Sequence, residues 1–293
     1  MSIDMKKVFY TLLTGMLMTF AACTSKTEEV TYQGSCFVQF SDSVYRMPVT
    51  EDGRVFEIPV VMSQASPEDR NVIVDVDMRQ TNATEDYHFT LESRNVRIPA
   101  GQLVGKARLH ADYTHINVSD SLALTLRIVS DQHATSELYG NSTNVQLIKC
   151  MPFHIEDYAG DMLLTCTFPF STSATSTFLI SSQKIDETHL QVNGPFEERR
   201  NLVLNFHTGQ DDPFDRNIDM KEQVAFTDVN FGQVSMATVD NAPSYYIPSE
   251  RAFVLYLDAY LAGLGTFGAY YYVFQWITPD EAEARRNGLS TLY

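Results

Sequence analysis

The densest set of side chains able to hold a cation is Asp211-Asp-Pro-Phe-Asp-Arg-Asn-Ile-Asp219, with Glu222 just beyond it. Calcium takes about six to eight oxygens, several of them charged. Asp211, Asp212 and Asp215 could clasp such a divalent cation, but the run lacks the glycine and the regular alternation of an EF-hand loop. A solvated hairpin loop is the competing reading. Histidines stand at positions 88, 110, 115, 133, 154, 189 and 207. No two have the i, i+2 or i, i+4 spacing of a metal pair on one element, although His110 and His115 straddle Asp112. No G-x-S-x-G, P-loop, G-x-G-x-x-G or H-E-x-x-H occurs, and no cofactor is implied. The remaining chemistry is aromatic. In Ala269-Tyr-Tyr-Tyr-Val-Phe-Gln-Trp-Ile277, strand alternation sets Tyr270, Tyr272, Phe274 and Trp276 on one face and Tyr271, Val273, Gln275 and Ile277 on the other. Tyrosine and tryptophan join flat apolar area to a polar tip, which suits the C–H face of a sugar ring. Exposed, the first face is a glycan platform; packed between core and terminal helix, it is only structure. Tyr245-Tyr-Ile-Pro248 is a second aromatic cluster, read as loop.

The elements that carry these groups are strands. Cys36–Phe40, Val55–Met62, Val72–Met78, Val104–Ala111, Leu122–Val129 and Val145–Cys150 alternate β-branched or aromatic residues with polar ones, separated by Asp-Gly, Ser-Pro and Ala-Gly turns. Such regular spacing predicts a sandwich, and the lack of a helical period argues against parallel βαβ architecture and its nucleotide sites. Pro152 marks a boundary. Further strands are predicted at Met162–Phe168, Ser176–Gln183, His189–Val192, Leu202–His207, Val224–Asp228, Gly232–Ala237, Arg251–Tyr260 and Gly268–Ile277, which suits a second β-sandwich or a small β-barrel. Thr278-Pro-Asp-Glu281 has capping-box spacing and Gly288 is a fitting stop, predicting one short helix from Pro279 to about Asn287 beside the last strand. The chain is thus expected to be all-β, with 1–22 a leader, 23–34 a tether, 35–151 a sandwich and 152–293 a second β domain.

Lys6 and Lys7 precede an apolar run from Val8 to Phe20, and Ala21-Ala22-Cys23 follows. This is the pattern of an export signal, and the run is shorter than the roughly 20 residues a membrane span needs. The 293 residues carry 21 Lys plus Arg against 37 Asp plus Glu, a net charge of −16. Loss of Asp4, Lys6 and Lys7 with the leader makes it −17. So acidic a body has no basic surface for nucleic acid and is repelled by anionic lipid. A hydrophobic content of 44% excludes a mainly disordered chain. Beyond Cys23, the cysteines Cys36, Cys150 and Cys166 match no zinc spacing. They allow one disulfide at most, with export permitting Cys150–Cys166, while three buried structural cysteines is the preferred reading.

Ala21-Ala22-Cys23 resembles the lipobox of bacterial lipoproteins, which implies lipidation of Cys23 and attachment to a membrane through the lipid. Glu28 and Glu29 resemble the acidic signal that sends Bacteroidetes lipoproteins to the outer face of the outer membrane. Thr50-Glu-Asp-Gly-Arg-Val-Phe-Glu-Ile-Pro-Val, Ala83-Thr-Glu-Asp-Tyr87, Val96-Arg-Ile-Pro-Ala-Gly-Gln102 and Ser121–Val129 follow the order seen in Calx-β-like, immunoglobulin-like domains, over roughly residues 35–150. Both halves resemble uncharacterised Bacteroidetes surface lipoproteins. Calx-β calcium ligands would match Glu51 and Asp86, with Asp112 nearby. The terminal Asp cluster of that family is missing, since the last strand of this half runs Val145–Met151. Taken together, these resemblances imply a non-catalytic surface module that binds a glycan or a partner outer-membrane protein of an uptake system. The alternative from another class is a carbohydrate-active hydrolase with a carboxylate pair in its C-terminal domain.

Overall fold

The structure, a computed structural model, describes residues 35–129, 134–135, 140–167 and 175–288. The leader, Cys23 and the tether lie outside the described residues.

The first half is built from β1 (Phe37–Phe40), β2 (Val44–Val49), β3 (Phe56–Met62), β4 (Arg70–Val76), β5 (Phe89–Leu91), β6 (Asn95–Ile98), β7 (Val104–Ala111), β8 (Leu122–Ile128), β9 (Ala134–Thr135) and β10 (Ser142–Lys149). They form two sheets, β5-β7-β3-β1-β9 and β2-β10-β8-β4-β6. The alternation seen in the sequence is the alternation of burial: along β4, Val72, Val74 and Val76 are buried and their neighbours are not. Side chains from both sheets, among them Ile58, Val60, Leu109, Val72, Leu124 and Leu126, share one hydrophobic cluster. This is the expected immunoglobulin-like sandwich.

The second half comprises β11 (Gly160–Cys166), β12 (Ser176–Lys184), β13 (His189–Asn193), β14 (Leu202–Phe206), β15 (Ile218–Asp219), β16 (Gln223–Asp228), β17 (Gly232–Thr238), β18 (Tyr245–Ile247), β19 (Ala252–Leu261), β20 (Gly265–Trp276) and α1 (Pro279–Arg286). Neighbours pair in the order β15-β14-β13-β12-β11-β20-β19, and β18 also pairs with β19. The two free edges then meet. Asn217 bridges Tyr245, with Ile218 N donating to Ser244 O at 2.9 Å and Tyr246 N to Arg216 O at 3.0 Å. The sheet therefore closes into an up-and-down barrel, with the β16–β17 hairpin attached along β19. Tyr245-Tyr-Ile, expected as loop, is the strand that completes the ring.

Closure decides what fills the interior. Inward positions supply Leu164, Leu190, Leu204, Ile218, Leu255 and Phe274 to a second hydrophobic cluster. Near the end facing the first half, aromatic rings stack in sequence. Phe253 lies 4.5 Å from Phe274 and 5.6 Å from Phe206, Tyr158 lies 5.2 Å from Phe206, and Phe153 lies 5.0 Å from Tyr246. Phe153 follows Pro152 directly, so the connection between the halves is anchored by a ring in the barrel end, while Cys150 N donates to Val49 O of the sandwich at 2.9 Å. Thr278 Oγ1 accepts from Glu281 N at 3.2 Å, the expected cap, and Arg286 of α1 pairs with Asp161 at the start of β11. Cys36, Cys150 and Cys166 are free thiols, with Cys36 only half-buried.

Phe253 is fully buried between Phe206 and Phe274. Phe253→Ala is expected to destabilise the fold by about 3–5 kcal/mol, the usual cost of an aromatic-sized cavity, seen as a lowered denaturant midpoint. A loss under about 1 kcal/mol would show that the barrel end is not close-packed.

Candidate functional site

The aromatic strand faces the opposite way from the platform expected of it. Tyr272 and Phe274 are 0% exposed and belong to the barrel core, where no ligand reaches them, and half-buried Tyr270 packs against that core. Trp276 is a structural pin: Nε1 donates to Ala159 O at 3.1 Å and the Arg251 guanidinium lies 3.6 Å above the ring. Gly160 sits beside it at φ +121, where an added Cβ would lie 3.2 Å from Trp276 Nε1. The correction follows from pairing. Residues 272 and 274 of β20 lie opposite Cys166 and Leu164, both inward, so the odd positions must point out.

Those odd positions build a different surface. Tyr271 is paired with Tyr256 of β19, and two residues back Val254 is paired with Tyr245 of β18, so Tyr245, Tyr256 and Tyr271 share the outer face. Tyr271 is 48% and Tyr245 37% exposed, and the Tyr256 and Tyr271 rings are 5.1 Å apart, inclined at 60°. None of the three hydroxyls has a hydrogen-bond partner among the described residues. Burial holds the Tyr271 phenol above its ordinary range, so it stays a neutral donor. Thr165 and Thr177, joined at 3.1 Å, continue the same face on β11 and β12. Sequence reasoning found the strand but not the face, because both faces are largely apolar.

A cleft of about 450 Å³ lies between the halves, lined by Glu51, Arg54, Cys150, Phe153, Arg216 and Tyr246 among others. Arg54 donates to Asp52 at 2.6 Å and across the junction to Gln210 O at 3.2 Å. Arg46 of the sandwich stands 4.6 Å above the Phe214 ring of the barrel. Hydrogen bonds from Thr50 and Arg54 hold the Asp52 carboxyl below the usual range, and burial pushes the Cys150 thiol up.

The proposed cation ligands do not converge. Asp212 Oδ1 accepts from Phe214 N at 2.9 Å, Asp215 is taken by His207 and by Asn217 N, and Asp211 is exposed. Their loop uses its acids to cap its own turns, and no group of three or more His, Cys, Asp and Glu side chains among the described residues could hold a metal. Glu51, Asp86 and Asp112 do line one depression, but Asp112 is engaged by Thr114 and His115. His110 faces Glu92 instead.

One histidine arrangement had no sequence signal. His207 Nδ1 lies 2.7 Å from Asp215 Oδ2 and Nε2 2.7 Å from Asp219 Oδ2. With an ionised carboxylate facing each nitrogen, the arrangement favours the doubly protonated ring, in which both nitrogens donate. Its pKa is raised by the hydrogen bonds to Asp215 and Asp219. Burial pulls the Asp215 carboxyl up, but the bonds from His207 and Asn217 outweigh it and the net shift is downward.

No family model and no curated protein matches the chain. Among solved structures it is similar to a protein of unknown function from Bacteroides ovatus, at 16% identity and a TM-score of 0.33, over 82% of this chain and 92% of that one. An auxiliary nutrient binding protein from Bacteroides thetaiotaomicron is similar at 14% identity and a TM-score of 0.33, over 80% and 90% of the two chains. The apo-form Calx CBD1 domain is similar over 40% of this chain and 98% of that domain, at 14% identity and a TM-score of 0.33.

A histidine with a raised folded pKa stabilises fully below its unfolded value of about 6.5, and the contribution is lost as pH rises through the folded value. The thermal midpoint should therefore fall as pH rises above about 6.5. In His207→Gln that alkaline decline should flatten in a differential scanning experiment; an unchanged profile would remove His207 from the account.

Proposed function

We propose that this protein is a lipid-anchored module of the outer membrane surface that binds a glycan without catalysis, using the outer face of the barrel. The observation that carries the reading is the cluster on paired strands of exposed Tyr245 and Tyr271 with half-buried Tyr256, their hydroxyls unpartnered among the described residues. Sugar rings present apolar C–H faces edged by hydroxyls, and an inclined tyrosine pair offers both a flat apolar wall and donors at its rim. Strand pairing fixes the rings before the ligand arrives, which lowers the ordering cost of binding. In this reading residues 35–151 form a spacer domain and 152–293 carry the working surface.

The hydrolase alternative requires a carboxyl kept protonated near neutral pH. Every described carboxyl with a resolved shift moves the other way: Asp52, Glu57, Asp69, Asp75, Asp112, Glu156, Asp186 and Asp215 are all lowered by hydrogen bonds or cationic partners. Attachment rests on Lys6, Lys7, the apolar run and Ala21-Ala22-Cys23. Among the described residues no helix is long and apolar enough to cross a membrane.

On a glycan array, residues 24–293 should bind at least one neutral polysaccharide, and Tyr271→Ala should weaken that binding at least tenfold while leaving the thermal midpoint nearly unchanged. Equal binding by the variant would exclude the tyrosine face. Cys23→Ala should move the protein from the membrane fraction to the soluble fraction, and protease added to intact cells should degrade the wild type. Retention in the membrane would refute the lipid anchor, and protection would refute outward display.

A further inference from the structure

The cleft between the halves holds a cation without a counter-ion. Most of the described arginines pair with carboxylates: Arg54 with Asp52, Arg94 with Asp75 and Glu85, Arg97 with Asp69, Arg251 with Asp157, Arg285 with Glu281. Arg216, half-buried in the cleft wall, forms no salt bridge among the described residues and lies near the Cys150 thiol, which lines the same cleft. Burial keeps that thiol neutral, so the guanidinium charge is not compensated by it. The planar guanidinium of such an arginine keeps its donors free for the oxygens of an anion.

The other charges around the cleft are accounted for. Asp52 is held by Arg54 and Thr50, Asp215 by His207 and Asn217 N, and Asp212 by Phe214 N. Arg46 stacks on Phe214. Glu51, exposed at the cleft, has no cationic partner, and Asp212, bonded to a neutral N–H, still acts on the Cys150 thiol. Thr208 and Gln210 supply neutral polar groups beside Arg216, and Phe153 and Tyr246 supply rings. The Tyr246 hydroxyl is committed to His207 O at 2.7 Å, which fixes its ring. The volume, about 450 Å³, lies within the usual range for small-molecule sites.

We infer that this cleft is a second binding site, for the carboxylate of an acidic sugar such as a uronic acid, received by the fork of Arg216 with its hydroxyls met by the polar lip. A planar guanidinium binds a carboxylate through two parallel hydrogen bonds, which an ammonium cannot reproduce. The carbohydrate class rests on the glycan reading above; the place and the charge do not. Both halves contribute walls, so the site exists only where they are joined.

Isothermal titration of residues 24–293 with trigalacturonate and, separately, with neutral trigalactose tests this. The acidic trimer is expected to bind at least tenfold more tightly than the neutral one. Arg216→Gln should abolish that difference, Arg216→Lys should restore only part of it, and Tyr271→Ala should leave it intact. In a ¹H–¹⁵N spectrum the Arg216 Nε resonance should shift with the acidic trimer. Equal affinity for the two trimers, no binding of the acidic one, or an undiminished preference in a folded Arg216→Gln would overturn the inference. The tyrosine face is judged separately, by whether Tyr271→Ala loses the polysaccharide, so either site can fail alone.

Discussion

The second half of this protein depends on one short seam, where Arg216–Ile218 meets Ser244–Tyr246 and two backbone hydrogen bonds turn an open sheet into a ring. An open sheet would leave β15 and β18 with exposed edges and give each strand a choice of which face to bury. Once the ring is closed, one face of every strand points at a space that only side chains can fill. Leu164, Leu204, Leu255, Tyr272 and Phe274 fill it, so any binding surface must lie outside the barrel or at its ends. The same seam carries much of the local polar structure. Tyr246 reaches back to His207 O, and His207 holds Asp215 and Asp219 on either side of the seam residues.

What could be read from the sequence follows the range of the interaction involved. Period-two alternation reports burial within one strand, and the Val104–Ala111 span it predicts is the span of β7 in the structure. The cap at Thr278 is equally local. The face of β20 is not: Tyr270 to Trp276 and Tyr271 to Ile277 are both apolar series, and only the register with β11 and β19 says which turns inward. β18 escaped notice because three residues before Pro248 give almost no period, and their partner Asn217 lies 28 positions away. The Asp211–Asp219 run misled for the converse reason. Its acids are close in sequence, yet Asp212, Asp215 and Asp219 are spent on a neighbouring N–H or on His207 rather than on a common centre, and Asp211 is exposed. Arg216 gives no signal in the sequence, since what sets it apart is its place in the cleft wall without a carboxylate partner, which only three-dimensional neighbours can establish.

The linker shows how the two halves constrain one another. Pro152 stops the last sandwich strand from continuing, and the next residue, Phe153, enters the aromatic stack of the barrel. Arg54 to Gln210 O and Arg46 over Phe214 then tie the sandwich to the loop that precedes the seam. Contacts of this kind are individually worth about 1 kcal/mol at a partly exposed surface. Their common target is what matters: all of them bear on the loop between His207 and Asn217, so the cleft wall is held from the barrel side by that histidine and from the sandwich side by arginines.

Charge gives the tyrosine face and the cleft different dependences on salt. A body of net charge −16 repels an approaching acidic sugar over a distance of about one Debye length, roughly 8 Å at physiological ionic strength. Within the cleft the ligand meets Arg216 at contact distance, in a setting where part of the solvent is excluded and screening is weaker. Added salt therefore relieves the long-range repulsion before it erodes the short-range attraction, and association with an anion should quicken at moderate salt rather than slow. A neutral glycan on Tyr245, Tyr256 and Tyr271 carries no charge for either field to act on, so its binding should be nearly indifferent to salt. The negative balance thus bears on Arg216 as well: only an anion that can reach it closely gains more than the surrounding acids take away.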